Sequence, residues 1–507
     1  MPPRPQACIA RLDRLGHTPP DTRFATPKSS LTRAEQAVIG PHYNRDIARM
    51  IFLLVCAFAV AACRTGVAAP TSVAPVVERT VPVTVEVTRM VPQPIVVQAT
   101  PTPVTPCAPQ IARNAPQITV GAILPFSSPG ALQAGFAMQT ALNLAVLSVN
   151  EKGGIQGTPL RLVSYDSAGI PERGALFAER LILADCAVGL LGFYHSNVAL
   201  AVLDVAHRYG TPVIVAEAIA DEITARHYPE VFRIAPSASM MAAMPAAWLN
   251  DVGDYNQDGA LTAVAISDSS SAGVATLDRV AKQFREVDIT VETMTVDLPS
   301  TVFAGVIARI LALERLPDAV FIFVKGAPGL ALHAQLLDAG IGPQRATLIV
   351  THHVGLESDR FWEAVPNGAG TIVARMGPWP GAVNPYGLEF AQKYEQQTMR
   401  WPEAHAFAAH DALLLLAAAM QSADSLSPDA LTAALRATDL ELAAGRYSFP
   451  ITATSPPGAD APAYAFQQWP APPMLYLQYT ARGQRSSEAT VIWPPLYRTA
   501  ALVPPGP

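Results

Sequence analysis

Charge is scarce in this chain. Only 15% of its 507 residues are Asp, Glu, Lys or Arg, and the formal net charge is -6 at pH 7, so the dense basic face that a nucleic-acid partner needs is not expected. Long apolar runs are scarce as well. Half the residues are apolar, yet the one uninterrupted run, Ile51 to Ala62, has 12 residues, whereas a membrane-crossing helix needs about 20. No nucleophile elbow, phosphate loop or metal cluster occurs, so neither an enzyme nor a cofactor is expected. At 507 residues the chain exceeds one ordinary core, which makes two or more domains the expectation.

The short apolar run has the length of a secretory h-region. Arg45 and Arg49 precede it, and Ala61 and Ala62 lead into Cys63. This looks like a bacterial lipoprotein processing site, in which the Cys63 thiol takes a diacylglycerol and small residues let the peptidase close on the chain. Residues 1–49 are basic and Pro-containing without an apolar period, an N-terminal extension that suggests a start assigned too far upstream. Residues 50–62 form the h-region. Residues 63–116, including VERTVPVTVEVTRMVPQPIVVQATPTPVTP, read as a lipid-anchored stalk, because recurrent Pro denies a sheet interior its donors; the alternative is an added edge hairpin. Of the five cysteines, Cys8 and Cys56 would leave with the leader and Cys63 would be lipidated. Cys107 and Cys186 either pair in an oxidising compartment or remain two thiols.

Ile118 to Ser196 organises the rest. ITVGAILPF reads as a strand buried on both faces, ending in Ser127, Ser128, Pro129 and Gly130. A helix over Gly135–Asn150, a glycine stop at Gly153, Gly154 and Gly157, a strand over Leu160–Tyr165, a helix over Glu172–Ala184 and a strand over Ala187–Gly192 complete a βαβαβ unit. VGAILPFSSPG, NEKGGIQGTPLRLVSYDS and GLLGFYHSNVALAV together resemble the type 1 extracytoplasmic solute-binding proteins of ABC importers, in the leucine/isoleucine/valine-binding branch. The resemblance runs from Ile118 to about Tyr497. It implies an α/β fold of two Rossmann-like lobes with parallel sheets joined by a multi-strand hinge.

The remaining pattern fits that expectation. The first lobe continues through a helix at Val198–Tyr209 and a strand at Val213–Ala216, and VFRIAPSASM (Val231–Met240) resembles the first crossover. Strands near Leu261, Asp288, Ala319 and Thr347 then alternate with helices. The chain is expected back in the first lobe near Thr371–Met376, and PDALTAALRATDLELAAGRYSFP again matches the family. The expected boundaries are lobe 1 at 117–236 and 375–447, lobe 2 at 237–374, and C-terminal strands with a tail at 448–507, the strands at AYAFQQW and ATVIWPP.

Ligands of open α/β sheets sit beyond the carboxyl ends of strands. The candidates are therefore Ser127, Ser128, Ser196, Asn197, Glu217, Ala218 and Ile219 in the first lobe, and Asp268, Ser270, Lys325 and His352 in the second. By resemblance Ser196 would receive a ligand carboxylate at a helix N-terminus; the plain alternative is an N-cap serine. Other positions depart from the amino-acid-binding pattern. Glu217 and Ile219 stand where a small residue and a threonine are usual, Thr351, His352 and His353 replace an acidic residue, and Ala272 replaces an aromatic. His333, His352 and His353 are better read as exposed loop histidines than as metal ligands, and His405, His410 and Asp411 as packing, since His405 and His410 are five apart and share no helix face. Asp254, Asn256 and Asp258 before Gly259 begin like a calcium loop, but position twelve is Ala265 and a strand follows.

The resemblance implies a receptor, monomeric, without nucleic acid or cofactor, held by lipid on the outer face of the cytoplasmic membrane. It would capture an amino acid, amide or organic acid and deliver it to ABC permease subunits. The alternative is a sensor of the same fold that signals to a membrane partner.

Overall fold

β1 (Ile118–Leu124) is buried along its whole length because both of its faces are covered. Val120, Ala122 and Leu124 enter one core while Ile123 enters another, the alternation that a pleated strand imposes. The structure is a computed structural model that describes residues 107, 116–352, 361–456, 458 and 461–504. The expectations for residues 1–49, the h-region, Cys63, the stalk other than Cys107 and Pro116, and His353 lie outside the described residues.

After β1 come α1 (Leu132–Glu151), β2 (Leu160–Asp166), α2 (Pro171–Leu183), β3 (Leu190–Gly192), α3 (Ser196–Tyr209), β4 (Val213–Val215), α4 (Glu222–Ala225) and β5 (Val231–Arg233). The five strands are parallel in the order β2-β1-β3-β4-β5. Gly210, in the left-handed conformation at φ 64°, ends α3. α1 is long and apolar enough to cross a membrane, but here Met138, Ala141 and Leu142 pack it into the core under β1. Cys107 and Cys186 form a disulfide that ties the chain ahead of β1 to the turn between α2 and β3.

The second lobe starts with α5 (Ala238–Val252), whose N-cap Ser237 accepts the Met240 N–H. It continues with β6 (Thr262–Asp268), α6 (Ser271–Glu286), β7 (Thr290–Val296), α7 (Ala304–Leu311), β8 (Ala319–Ile322), α8 (Gly326–Asp338), β9 (Leu348–Thr351), α9 (Phe361–Ala364) and β10 (Ile372–Met376). The chain then adds α10 (Pro385–Thr398), α11 (Ala404–Ser422), α12 (Pro428–Arg436) and the hairpin β11 (Asp439–Leu442) with β12 (Gly445–Ser448). All of these bury apolar residues in the first-lobe core beside α1. Finally β13 (Met474–Gln478) and β14 (Thr490–Trp493) complete a seven-stranded second sheet, β14-β13-β10-β9-β8-β6-β7.

The sequence reading and the structure part in several places. The stretch expected only as a crossover contains β5, the fifth strand of the first sheet. β10, where the chain was expected back in the first lobe, is a strand of the second sheet, parallel to β9 and antiparallel to β13. AYAFQQW is not a strand; its Ala463–Ala465 is a single 3-10 turn and Gln468 makes one isolated bridge to Arg233. Pro470, Pro472 and Pro473 follow, and without their N–H groups the ladder cannot extend until Met474. The segment beyond 448 thus supplies two strands of the second sheet. Three crossovers join the lobes, after β5, after β10 and before β13.

One buried cation fixes this junction. Arg233 has no exposure to solvent. Its guanidinium donates to the Gln468 side-chain oxygen, to the Ala220 carbonyl at 2.5 Å and the Ile219 carbonyl at 3.4 Å, and to Thr224 Oγ1 at 3.1 Å. Burial pulls its pKa down to about 10, so it remains charged at neutral pH. Arg233→Met should strip the Gln468 side-chain oxygen of its donor and remove the guanidinium's bonds to the loop carbonyls, which keep the N–H groups of Ala238 and Ile223, and so lower stability by about 2 to 4 kcal/mol. Urea denaturation checks this; a loss under about 1 kcal/mol would show that the junction does not depend on the guanidinium.

Candidate functional site

The carboxyl ends of both sheets face a cleft of about 710 Å³. Tyr194, Glu217 and Ile219 line it from the loops after β3 and β4. Ala374 and Met376 of β10 lie on the junction, and Asp268, Ser270, Lys325 and His352 come from the ends of β6, β8 and β9. Six of the eleven candidates are therefore brought together, Glu217, Ile219, Asp268, Ser270, Lys325 and His352.

The other five lie outside the lining, each for a physical reason. Ser127 Oγ donates to Asp166 at 2.5 Å, and Asp166 also accepts the backbone N–H groups of Phe126 and Ala168. Ser128 is exposed on the turn after β1. Asn197 accepts the N–H of its neighbour Val198. Ala218 is buried with α3 and β4 in the first-lobe core. Ser196 Oγ accepts the N–H groups of Ile219 at 3.2 Å and Ala220 at 3.1 Å. Both of its acceptor positions are engaged in holding the loop after β4, and only its proton remains to be donated.

That loop carries Glu217, whose carboxyl is raised from 4.5 to about 7. Burial is the main cause, and Glu403 adds to it; His405 and Arg375 oppose it by favouring the anion. Tyr194 is raised by burial and then by Glu217 and Glu403. Sequence reasoning missed Tyr194, Met241, Arg375 and Met376, and it takes His405, which acts on Glu217, for packing. Arg375 and Met376 are obscured because β10 reads as a return to the first lobe, and His405 because its five-residue spacing from His410 suits no single helix face.

The second-lobe wall is built on local caps. Ser270 accepts the Gly273 N–H to start α6, and Asp268 is lowered chiefly by its hydrogen bonds with Ser270. A Cβ at Gly273 would lie 2.1 Å from the Asp268 carbonyl, so only glycine lets α6 start this close to β6. His352 lies 3.0 Å from the Tyr476 hydroxyl and packs on Phe323; Tyr476 comes from β13, which the sequence reading did not expect. His333, read as an exposed loop histidine, is instead fully buried on α8 beside Thr371, and burial pushes it down to about 3.

The calcium-like loop turns inward on its own backbone. Asp254 accepts the N–H groups of Asp258 and Gly259, Asn256 accepts that of Asp258, and Asp258 accepts that of Ala260. Arg315 lies 3.5 Å from the Asp258 carboxylate, so a side-chain cation occupies the charge that a metal would have balanced. Among the described residues no three His, Cys, Asp or Glu side chains are placed to hold a metal ion.

Comparison with known proteins decides the family. The family description "periplasmic binding protein" matches residues 117–468. The chain belongs to the periplasmic binding protein family. A Leu/Ile/Val-binding protein homolog 7 from Brucella abortus is 37% identical over 128 residues, 25% of this chain and 31% of the relative. The match thus spans less than a third of that curated relative's length. Among solved structures, an ABC transporter substrate-binding protein from Desulfitobacterium hafniense in complex with Leu is 20% identical, with a TM-score of 0.56 over 74% of this chain and 99% of that one. A solute-binding protein of an ABC transporter from R. palustris in complex with benzoate is 22% identical, with a TM-score of 0.55 over 77% and 99%. At such identities the likeness is one of fold.

Within this periplasmic binding protein the Glu217 carboxyl has a measurable consequence. Folded, it keeps its proton up to about 7, against an ordinary value of 4.5. Its contribution to stability is therefore complete below pH 4.5 and is lost as pH rises through 7. Glu217→Gln cannot ionise. It should match the parent near pH 4 and exceed it at pH 8 by about 1 to 3 kcal/mol, a range reduced for the partial solvent contact of the group. Urea denaturation at both pH values tests this, and an equal difference at both would refute the buried-carboxyl assignment.

Proposed function

We propose that this protein is an extracytoplasmic receptor that captures a small polar solute between its lobes and delivers it to an ABC permease. The observation that carries this reading is the cleft itself, about 710 Å³ lined from both lobes and from the β10 junction. Such a site can close by rotation about the crossovers. Membership of the periplasmic binding protein family supports it, and the neighbours in complex with Leu and with benzoate show that related folds hold chemically different small ligands. The Cys107–Cys186 disulfide agrees with an oxidising compartment.

The residues favour a solute with two polar ends. Glu217 suits a cation or hydrogen-bond donor, while Lys325 and Arg279 of the second lobe suit an anion or acceptor. Ser196 is a positioning residue in this reading, since its hydroxyl holds the Glu217 loop.

A thermal-shift screen of amino acids, amides and organic acids tests the receptor reading. A true ligand at 100 times its dissociation constant stabilises the fold by about 2.7 kcal/mol. Small-angle scattering with that solute should show a smaller radius of gyration. If no class of solute changes either quantity, the receptor reading fails.

The receptor would be held at the membrane through lipid on Cys63, as the apolar run and Ala61-Ala62 before it suggest. Cys63→Ser should move the secreted protein from membranes to the soluble fraction. Metabolic labelling with a radioactive fatty acid that never marks the parent chain would refute the anchor.

A further inference from the structure

A cluster of titratable groups gathers where the first lobe meets the junction. Tyr194 reaches it from the loop after β3, Glu217 from the loop after β4, Arg375 from β10, and Glu403 and His405 from the start of α11. All but one of the charged groups are engaged. His405 Nε2 lies 2.6 Å from a Glu403 carboxylate oxygen, and Arg375 donates to the Pro402 carbonyl at 3.4 Å while its guanidinium stands 5.0 Å over the Trp379 ring. The Glu217 carboxyl lines the cleft, yet it makes no hydrogen bond and no ion pair with any described residue; Arg375, His405 and Glu403 act on it at longer range. Across the cleft the charged and titratable side chains of the lining are Asp268, Arg279, Lys325 and His352.

A polar group set in a cleft wall without a partner of its own takes its partner from what enters. We propose that capture of a cationic solute here is an exchange: the cation's N–H groups take the place of the proton on the Glu217 carboxyl, which leaves for solvent, whereas a neutral amide is captured with that proton in place. The proposal rests on the receptor reading above. In the exchange the O–H bond of the acid breaks and its electron pair stays on the carboxylate. The charge of the cluster is the same before and after, because one positive charge enters as one leaves. An amide needs no such step, since the acid O–H donates to the amide carbonyl while the amide N–H donates to the acid's other oxygen.

The two solute classes then depend on pH in opposite directions. A cation needs the carboxylate, so its affinity is complete above the pH at which Glu217 ionises, about 7, and falls about tenfold for each pH unit below it. An amide pairs best with the acid and is held at least as well on the low side. Arg375 and His405 are positioning residues for this exchange. By favouring the anion they oppose the effect of burial, and so keep the carboxyl within reach of ionisation instead of fixed as the acid.

The test uses the full chain labelled with carbon-13 at the glutamate side-chain carboxyls, with methylammonium and acetamide as probes. The Glu217 signal is the one lost in Glu217→Gln, or in Glu217→Asp should the first variant not fold. Its midpoint should lie near 7 in the free protein, against an ordinary 4.5. Saturating methylammonium should move that midpoint down by about one unit or more, while acetamide leaves it in place or raises it. Calorimetry should find methylammonium bound about tenfold more tightly at pH 8 than at pH 6, and acetamide at least as tightly at pH 6 as at pH 8. A midpoint near 4.5, a midpoint that saturating methylammonium leaves unmoved, or a methylammonium preference for pH 8 that survives in full in Glu217→Gln overturns the exchange. If neither probe binds while another solute still closes the lobes, the exchange falls and the receptor reading stands. If no solute of any class binds, both fall.

Discussion

The buried Arg233 guanidinium is the constraint on which the site depends. Its hydrogen bonds go to neutral groups: the Gln468 side chain, two carbonyls of the loop after β4, and Thr224. A charge kept from solvent is tolerated only where such acceptors surround it. The same loop is held from its other side by Ser196, whose hydroxyl takes the N–H groups of Ile219 and Ala220. The N–H groups of both residues are satisfied by Ser196 at the start of α3, and their carbonyls are shared between Arg233 at the end of β5 and the N–H groups of Ala238 and Ile223. The loop that carries Glu217 is thus fixed by polar groups that never enter the cleft.

Fixing that loop determines the chemistry that Glu217 can perform. The carboxyl is placed where burial disfavours its charge, and Arg375 and His405 restore only part of what solvent would supply. A carboxyl poised near neutrality responds to what binds beside it. A ligand cation would draw it toward the anion and release a proton; an anionic ligand would keep it protonated. In the proposed receptor, solute charge and proton uptake would therefore be coupled at this residue.

Much of this architecture was legible in the residues. β1 and the α/β alternation after it follow from apolar periodicity, and helices such as α10 and α12 announce themselves by Asn384 or Ser427 followed directly by Pro at the first helical position. What was not legible is instructive. β5 has three residues, too few for any period to show. β10 and β13 pair with each other across about a hundred intervening residues, a relation that local pattern cannot carry. Glu217, Ile219, Asp268, Ser270, Lys325 and His352 stand in the cleft lining, where the rule that ligands lie beyond strand ends puts them. Ser127 and Ser196 satisfy the same rule yet serve their own backbone and carboxylate neighbours, because a short hydroxyl after a strand is also the natural cap for the helix or loop that follows.

The crossovers constrain how one lobe can turn on the other. Pro236, Pro378, Pro472 and Pro473 each fix a φ angle, so each of the three connections carries at least one fixed angle. Gly377 is the exception, with φ at 80° and so close to α11 that a Cβ would lie 2.8 Å from the Ala404 Cα. Rotation of one lobe on the other would be taken up by the remaining angles of these connections. Stiff connections of this kind make the lobe angle sensitive to packing between them, because a well-packed junction has discrete arrangements rather than a continuum. In the proposed receptor, packing between the lobes at these crossovers would therefore bear on closure more directly than Lys325 or Ser270, which belong to the second lobe alone.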